Sequence, residues 1–217
     1  MVENQNSELR RPLILLGGGG HCKSVIDVVE SAGYNILGIL DRPEEVGKSV
    51  LSYSIIGVDD DIPNYIDKAE FIITVGFIKN PSLRIKLYNK VKEFGGKLVT
   101  IVASTAHVSH YATIGEGTVI MHNALVNAGA KIGNNAIINS FANIEHDTIV
   151  GNQCHISTGV MVNGTCNIGN NVFVGSRSVV ANNVTIGDDI VIGAGTVVCE
   201  NLLYKGIYVG NPARLIK

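Results

Sequence analysis

From Val102 to Val198 every sixth residue is isoleucine or valine, through seventeen positions without exception. The residue four places after each is small or β-branched, running from Ala106 and Ala112 through Cys154, Val160 and Cys166 to Ile190 and Thr196. A period of six fits neither the roughly 3.6 residues of a helical turn nor the alternation of an ordinary strand, and it predicts a solenoid in which each hexad is one short side. Three hexads close a triangular coil, so residues eighteen apart stack at the inter-strand spacing of about 4.8 Å. The sixteen hexads then make slightly more than five coils. Units such as Ile132-Gly133-Asn134-Asn135 and Ile168-Gly169-Asn170-Asn171 put glycine and asparagine at the corners, where the chain needs a positive φ.

Before residue 100 the pattern changes to alternating strands and helices. Leu13–Leu16 reads as a buried strand, Lys23–Ser31 as an amphipathic helix, Ile36–Leu40 as a second strand and Phe71–Val75 as a third. Ser82–Phe94 reads as a helix, and Lys97–Ile101 as a last strand feeding the solenoid. The expected fold is therefore a small Rossmann-like α/β unit with a parallel sheet and right-handed crossovers over residues 1–101, followed by an all-β parallel β-helix with a short tail over 102–217.

Composition narrows the picture. With 217 residues, 46% of them hydrophobic, the chain has ample material for a core. A net charge of −2 argues against a nucleic-acid footprint, and the polar opening together with the short apolar run 13–16 gives no signal peptide or membrane span, so a cytoplasmic location is expected. Cys22, Cys154, Cys166 and Cys199 lack metal-ligand spacing, and two of them occupy inward solenoid positions as apolar fillers.

The first strand runs into Gly17-Gly18-Gly19-Gly20-His21-Cys22 and then a helix, where free backbone amides and the helix dipole suit phosphate oxygens. The dinucleotide fingerprint is incomplete, because Cys22 stands at its third glycine. A nucleoside-diphosphate site, a dinucleotide site and a tight turn holding nothing are all compatible with the motif alone. Asp41 ends the second strand, where a ribose or base edge would lie. Among the six histidines, His146 falls outside the two inward slots of its hexad and is flanked by Glu145 and Asp147. A neighbouring carboxylate can hold an imidazole in one tautomer and raise its basicity, but a surface histidine between two acids is equally compatible with simple solvation.

The glycine-rich turn ending in His21, the strand ends Leu40-Asp41 and Val75-Gly76, the hexads containing Ile144-Glu145-His146-Asp147 and His155, and the tail Gly210-Asn211-Pro212-Ala213-Arg214 together resemble the hexapeptide-repeat sugar acetyltransferases of the bacillosamine, perosamine and sialic-acid group. The resemblance spans nearly the whole chain. It implies a left-handed coil, acetyl-CoA as co-substrate, no metal, and direct N-acetylation of the 4-amino group of a UDP- or dTDP-linked amino-deoxy sugar in glycan biosynthesis. It further implies that His146 is the general base and Asp147 tunes it. This acid is often Glu in the group, so the shorter Asp147 is expected to make a longer or water-mediated contact. His155 would meet acetyl-CoA, together with backbone groups of Ser176 and Ala194. Gly19, Gly20, His21, Asp41, Arg42 and Gly76 would anchor the nucleotide, while Arg177 and Arg214 are unassigned candidates for phosphate.

His146 and His155 are nine residues apart, half a coil, so they cannot share one side of a prism. If both serve one site, two chains must meet there, and the resemblance implies a homotrimer. Three other readings stand beside this one: O-acetylation of a sugar such as sialic acid, a non-catalytic trimeric scaffold, and a γ-carbonic-anhydrase-like metal enzyme. The last expects a third histidine where Gly151 stands.

Overall fold

The computed structural model describes residues 11–217; the first ten residues of the expected 1–101 unit lie outside the described residues. Four consecutive apolar residues, Leu13–Leu16, form β1, and all four are fully buried in an interior strand of a five-stranded sheet. A strand buried on both faces needs such a run rather than alternation. The helix α1 (Gly20–Ser31) lays Cys22, Val25, Ile26, Val28 and Val29 on this sheet. It begins three residues earlier than its amphipathic pattern predicts, inside the glycine run, and Gly33 at φ 74° follows its end.

Next come β2 (Ile36–Asp41), β3 (Ser49–Val50), β4 (Tyr53–Val58), a 3-10 helix over Asp59–Tyr65, β5 (Glu70–Ile73) and α2 (Ser82–Glu93). The sheet order is β3-β4-β2-β1-β5, parallel except for the antiparallel edge pair β3 and β4. The expected third strand is thus the fourth of the parallel set, because β4 intervenes. The alternation in β4 is masked by Ile56, which faces solvent, and by Gly57, which is buried. The expected strand at Lys97–Ile101 is a single bridge between Leu98 and Phe71, and Ile101 already belongs to the solenoid.

From Ile101 onward the chain winds as a parallel β-helix of two-residue strands. The register is eighteen, as in Leu125↔Asn143↔Met161↔Val179↔Val197. Both repeat positions point inward and form one continuous core, with Cys154 and Cys166 among the fillers. From Gly117 to Gly195 every sixth residue has a positive φ, including Phe141, Asp147 and Thr165. Glycine is needed elsewhere for a different reason: a Cβ on Gly133 would lie 2.6 Å from the Gly151 carbonyl carbon of the next coil. Asn134, Asn152 and Asn170 form a vertical ladder, each accepting the backbone N–H from the coil before it at 2.8–2.9 Å. The last coil is two residues shorter: Ile186 pairs with Leu202 and Ile190 with Gly206. Gly206–Val209 then pairs antiparallel with Arg214–Leu215, which closes the open edge.

The three sides differ in what they face. On one, the outward residues Ile101, Val119, Ile137, His155 and Phe173 are buried. The α/β unit covers this side, since Val99, Ile101, Ala103, Val119 and Met121 share a core with α1. A second side presents His107, Leu125, Asn143, Met161, Val179 and Val197, mostly apolar and none buried. The third presents Thr113, Lys131, Ile149, Asn167 and Thr185, mostly polar. Among the described residues no helix is long and apolar enough to cross a membrane.

Candidate active site

The glycine run is shaped by what crowds it. Gly17 has φ 105°, and a Cβ there would collide with Val75 Cγ2, so only glycine fits. The Gly18 amide donates to Asp41 Oδ2 at 2.7 Å. A Cβ on Gly19 or Gly20 would meet nothing within 4 Å, so their backbone is bare toward a cavity of about 740 Å³. That cavity is lined by Gly19, Gly20, His21, Gly76 and His155, with Thr74, Val75, Phe77, Ile78 and Lys79 completing its wall. It lies beyond the carboxyl ends of β1 and β5 and at the start of α1, where a parallel sheet binds phosphate-bearing ligands.

Asp41 and Arg42 stand apart from it. They line a separate recess of about 220 Å³ with Pro43, Asp59, Lys86 and Lys90. Both Asp41 oxygens already accept backbone amides, from Gly18 at 2.7 Å and from Arg42 at 2.8 Å. Asp41 therefore braces the glycine turn from behind. Arg42 pairs with Glu44 at 3.1 Å and Glu45 at 3.5 Å on the surface.

His155 projects from the covered side of the β-helix into the cavity and is only 8% exposed. Its Nδ1–H donates to the Phe77 carbonyl at 2.8 Å, which leaves Nε2 as the acceptor facing Asn139 Nδ2 at 3.2 Å. Its ring packs edge-on to Phe173 and Phe77. Burial pulls its pKa down to about 4, with the charge of Arg84 adding to the effect. His21, 6.1 Å away ring to ring, is drawn down to about 3 by burial first, then by Arg84 and His155. Both imidazoles are neutral at physiological pH.

His146 occupies the corner between the mostly apolar and polar sides, opposite the side that carries His155. Its Nδ1 lies 2.9 Å from Asp147 Oδ2 in a direct contact, where the sequence suggested a longer or bridged one. Asp147 is itself one of the left-handed corner residues, at φ 59°. Glu145 is occupied elsewhere, accepting from Asn127 at 2.8 Å and Asn143 at 3.0 Å, and these bonds hold its carboxyl below the usual range. Asp147 alone thus orients the ring, and Nε2 is left over Gly164 of the next coil, where a Cβ would sit 2.7 Å away.

Ser176 and Ala194 stack one coil apart at the corner between the covered and apolar sides, outside the cavity. Ser176 Oγ is 2.9 Å from Ser157 Oγ. Arg177 and Arg214 are exposed and do not line the cavity. The sequence reading omitted Thr74, Phe77, Asn139 and Arg84. Of these, Arg84 carried a signal: a charge in the buried stripe formed with Leu87 and Val91. Among the described residues no group of three or more histidine, cysteine or acidic side chains is placed to hold a metal ion.

The family model described as the PglD N-terminal domain matches residues 12–91. The bacterial transferase hexapeptide (six repeats) matches 111–144, 129–164 and 165–200. Among solved structures, PerB from Caulobacter crescentus in complex with CoA and GDP-perosamine is 31% identical, with a TM-score of 0.88 over 95% of this chain and 97% of that one. The acetyltransferase domain of PglB from Neisseria gonorrhoeae is 28% identical, with a TM-score of 0.89 over 95% of this chain and 100% of that one, and it has also been solved with acetyl coenzyme A. WeeI from Acinetobacter baumannii, 20% identical with a TM-score of 0.74 over 94% of this chain and 99% of that one, shares the fold. No curated protein sequence matches.

Proposed function

Because the chain belongs to the hexapeptide-repeat sugar acetyltransferases with a PglD-type N-terminal domain and a left-handed β-helix, we propose that it transfers the acetyl group of acetyl-CoA to the 4-amino group of a nucleotide-linked amino-deoxy sugar. The observation that carries this reading is the pairing within one chain of a bare glycine cavity with a carboxylate-oriented imidazole on an exposed corner. The nucleotide's phosphates would sit against Gly19, Gly20 and the start of α1, with His21 and Gly76 forming the wall beyond them. UDP and dTDP are the expected nucleotides, and GDP joins them because the similar PerB was solved with GDP-perosamine.

With Nδ1–H held by Asp147, His146 Nε2 presents a lone pair to the attacking amine. The amine nitrogen adds to the thioester carbonyl as Nε2 takes its proton. The tetrahedral intermediate collapses, the C–S bond breaks, and the thiolate leaves to recover the proton. No acyl-enzyme is required: Cys154 and Cys166 point into the β-helix core, where burial lifts the first thiol to about 12 and raises the second. His155, with Nδ1 committed to Phe77, serves as a neutral apolar wall and acceptor at the acetyl end, not as a cation.

The site needs two chains. His146 and the Ser176–Ala194 corner flank the same uncovered apolar side, at its opposite edges. Packing these sides around a threefold axis brings His146 of one protomer toward the cavity and corner of its partner. This supports a homotrimer with acetyl-CoA lying along that corner past Ser176 and Ala194. Both substrates are cytoplasmic metabolites, so the reaction is assigned to the cytoplasm.

The test is thiol release from acetyl-CoA across UDP-, dTDP- and GDP-linked 4-amino-4,6-dideoxy sugars, run beside His146→Ala. One nucleotide sugar should turn over, and the variant should lose roughly a hundredfold or more. Turnover of none, or an unimpaired variant, overturns the reading.

A further inference from the structure

Arg84 is the largest fully buried side chain of the molecule's described part, 1% exposed, and it is a cation. It rises from the first turn of α2. Nη1 donates to the carbonyls of Ile73 at 2.7 Å and Val75 at 3.0 Å, and Nε donates to Asn135 of the β-helix at 3.1 Å. Its partners are therefore neutral carbonyls, and Nη2 is buried without a partner. Burial alone shifts its pKa, down to about 9, so it stays charged near neutral pH and no acid offsets the cost. A buried charge without a counter-ion is normally destabilising, which a purely apolar residue at the same place would avoid. Its field is felt by both histidines of the cavity wall, His21 and His155. Val75, which it grips, also lines that cavity.

Three sources of positive potential thus converge on one space: the bare amides at the start of α1, Lys79 on the rim, and Arg84 behind the wall. We propose that Arg84 is a positioning residue whose missing counter-charge is the diphosphate of the nucleotide sugar, so that the site selects nucleoside diphosphates over nucleosides, free sugars and monophosphate-linked sugars. This rests on the nucleotide-sugar reading of the cavity, and it goes beyond it by assigning the anion preference to a residue that never touches the ligand. In a low-dielectric wall its charge acts at a distance that water would otherwise screen. Its grip on Ile73 and Val75 also holds the end of β5 against the β-helix.

The experiment is calorimetric titration of the full-length protein with UDP, dTDP and GDP and with the matching nucleosides, for wild type, Arg84→Lys and Arg84→Met. For the nucleotide that binds, Arg84→Met should lose tenfold or more in diphosphate affinity while nucleoside affinity and the KM for acetyl-CoA hold. Arg84→Lys, which keeps the charge and loses the forked grip, should recover most of it. If diphosphate and nucleoside affinities fall together, or Lys fares no better than Met, the residue is only a prop and the inference is overturned. Should Arg84→Met fail to fold, inorganic pyrophosphate decides on wild type: it must compete with the nucleotide, and failure to compete overturns the inference. Diphosphate binding that depends on Arg84 without acetyl transfer sinks the proposed activity and leaves this inference standing.

Discussion

Gly164→Ala isolates the orientation of His146 from everything else in the fold. Gly164 has no left-handed φ, so alanine suits its backbone, yet the new Cβ would lie 2.7 Å from His146 Nε2, 2.8 Å from Cε1 and 3.2 Å from Cδ2. Ordinary contact begins near 3.4 Å, so the ring must retreat by about 0.7 Å. It is free to do so, because the side chain is 57% exposed and tied only by the 2.9 Å contact to Asp147. Stability should hardly change: the ring swings at small cost, and alanine gains about 0.4–1 kcal/mol by restricting the unfolded chain. Activity should change greatly. Misplacing a catalytic group by about 1 Å costs on the order of a hundredfold, so a shift near 0.7 Å should lower kcat by roughly tenfold to a hundredfold. Thiol release gives kcat and thermal unfolding gives Tm on the same preparation. Wild-type kcat in a well-folded Gly164→Ala protein would refute the assignment of Nε2 as the working atom.

Three further outcomes follow from the same geometry. Asp147→Asn should lower kcat about tenfold or more while Glu145→Gln stays within about threefold, since only Asp147 meets the ring and Glu145 is bound by Asn127 and Asn143; steady-state kinetics of the pair decides it, and equal losses count against the distinction. Because His21 and His155 are held near 3 and 4 in the folded chain against 6.5 when unfolded, the unfolded chain binds more protons below pH 6.5. Their stabilising contribution is thus full above that pH and is lost as pH falls toward 4, at up to about 1.4 kcal/mol per pH unit for each ring; urea unfolding between pH 7 and pH 5 should show the slope, and His155→Gln should flatten it. Gly133→Ala should destabilise by about 1–3 kcal/mol, because its Cβ meets rigid backbone of the next coil at 2.6 Å rather than a mobile side chain; an unchanged urea midpoint would show that the coils can separate there.

The β-helix was legible almost entirely from its residues. Two inward positions per hexad and one left-handed corner residue are set by contacts along a few residues of chain, and the coil repeats them, so period and register follow from composition at fixed spacing. The shortened last coil escaped because it rests on pairing with the tail rather than on the hexad. In the α/β unit β1 and both helices were readable from burial patterns, whereas β4 was hidden by an outward Ile56 and a buried Gly57 that only the neighbouring strands make sense of.

At the candidate site, the family resemblance carried by residue types and order singled out His146, His155, Asp147 and the glycines of the cavity. What they do was decided by tertiary contact. Which acid orients His146 depends on Asn127 and Asn143 engaging Glu145, and those three come from two different coils. His155 is neutral because the α/β unit buries it beside the charge of Arg84, while its tautomer is set by the carbonyl of Phe77, seventy-eight residues away, which accepts the Nδ1–H hydrogen bond. Asp41 braces a turn because β2 lies beside β1, and Arg84 is sealed between α2, β5 and a β-helix corner that share no local pattern. Periodicity is a local property that a sequence states directly, but burial, partners and charge state at a site are set by segments distant in the chain, and only packing brings those together.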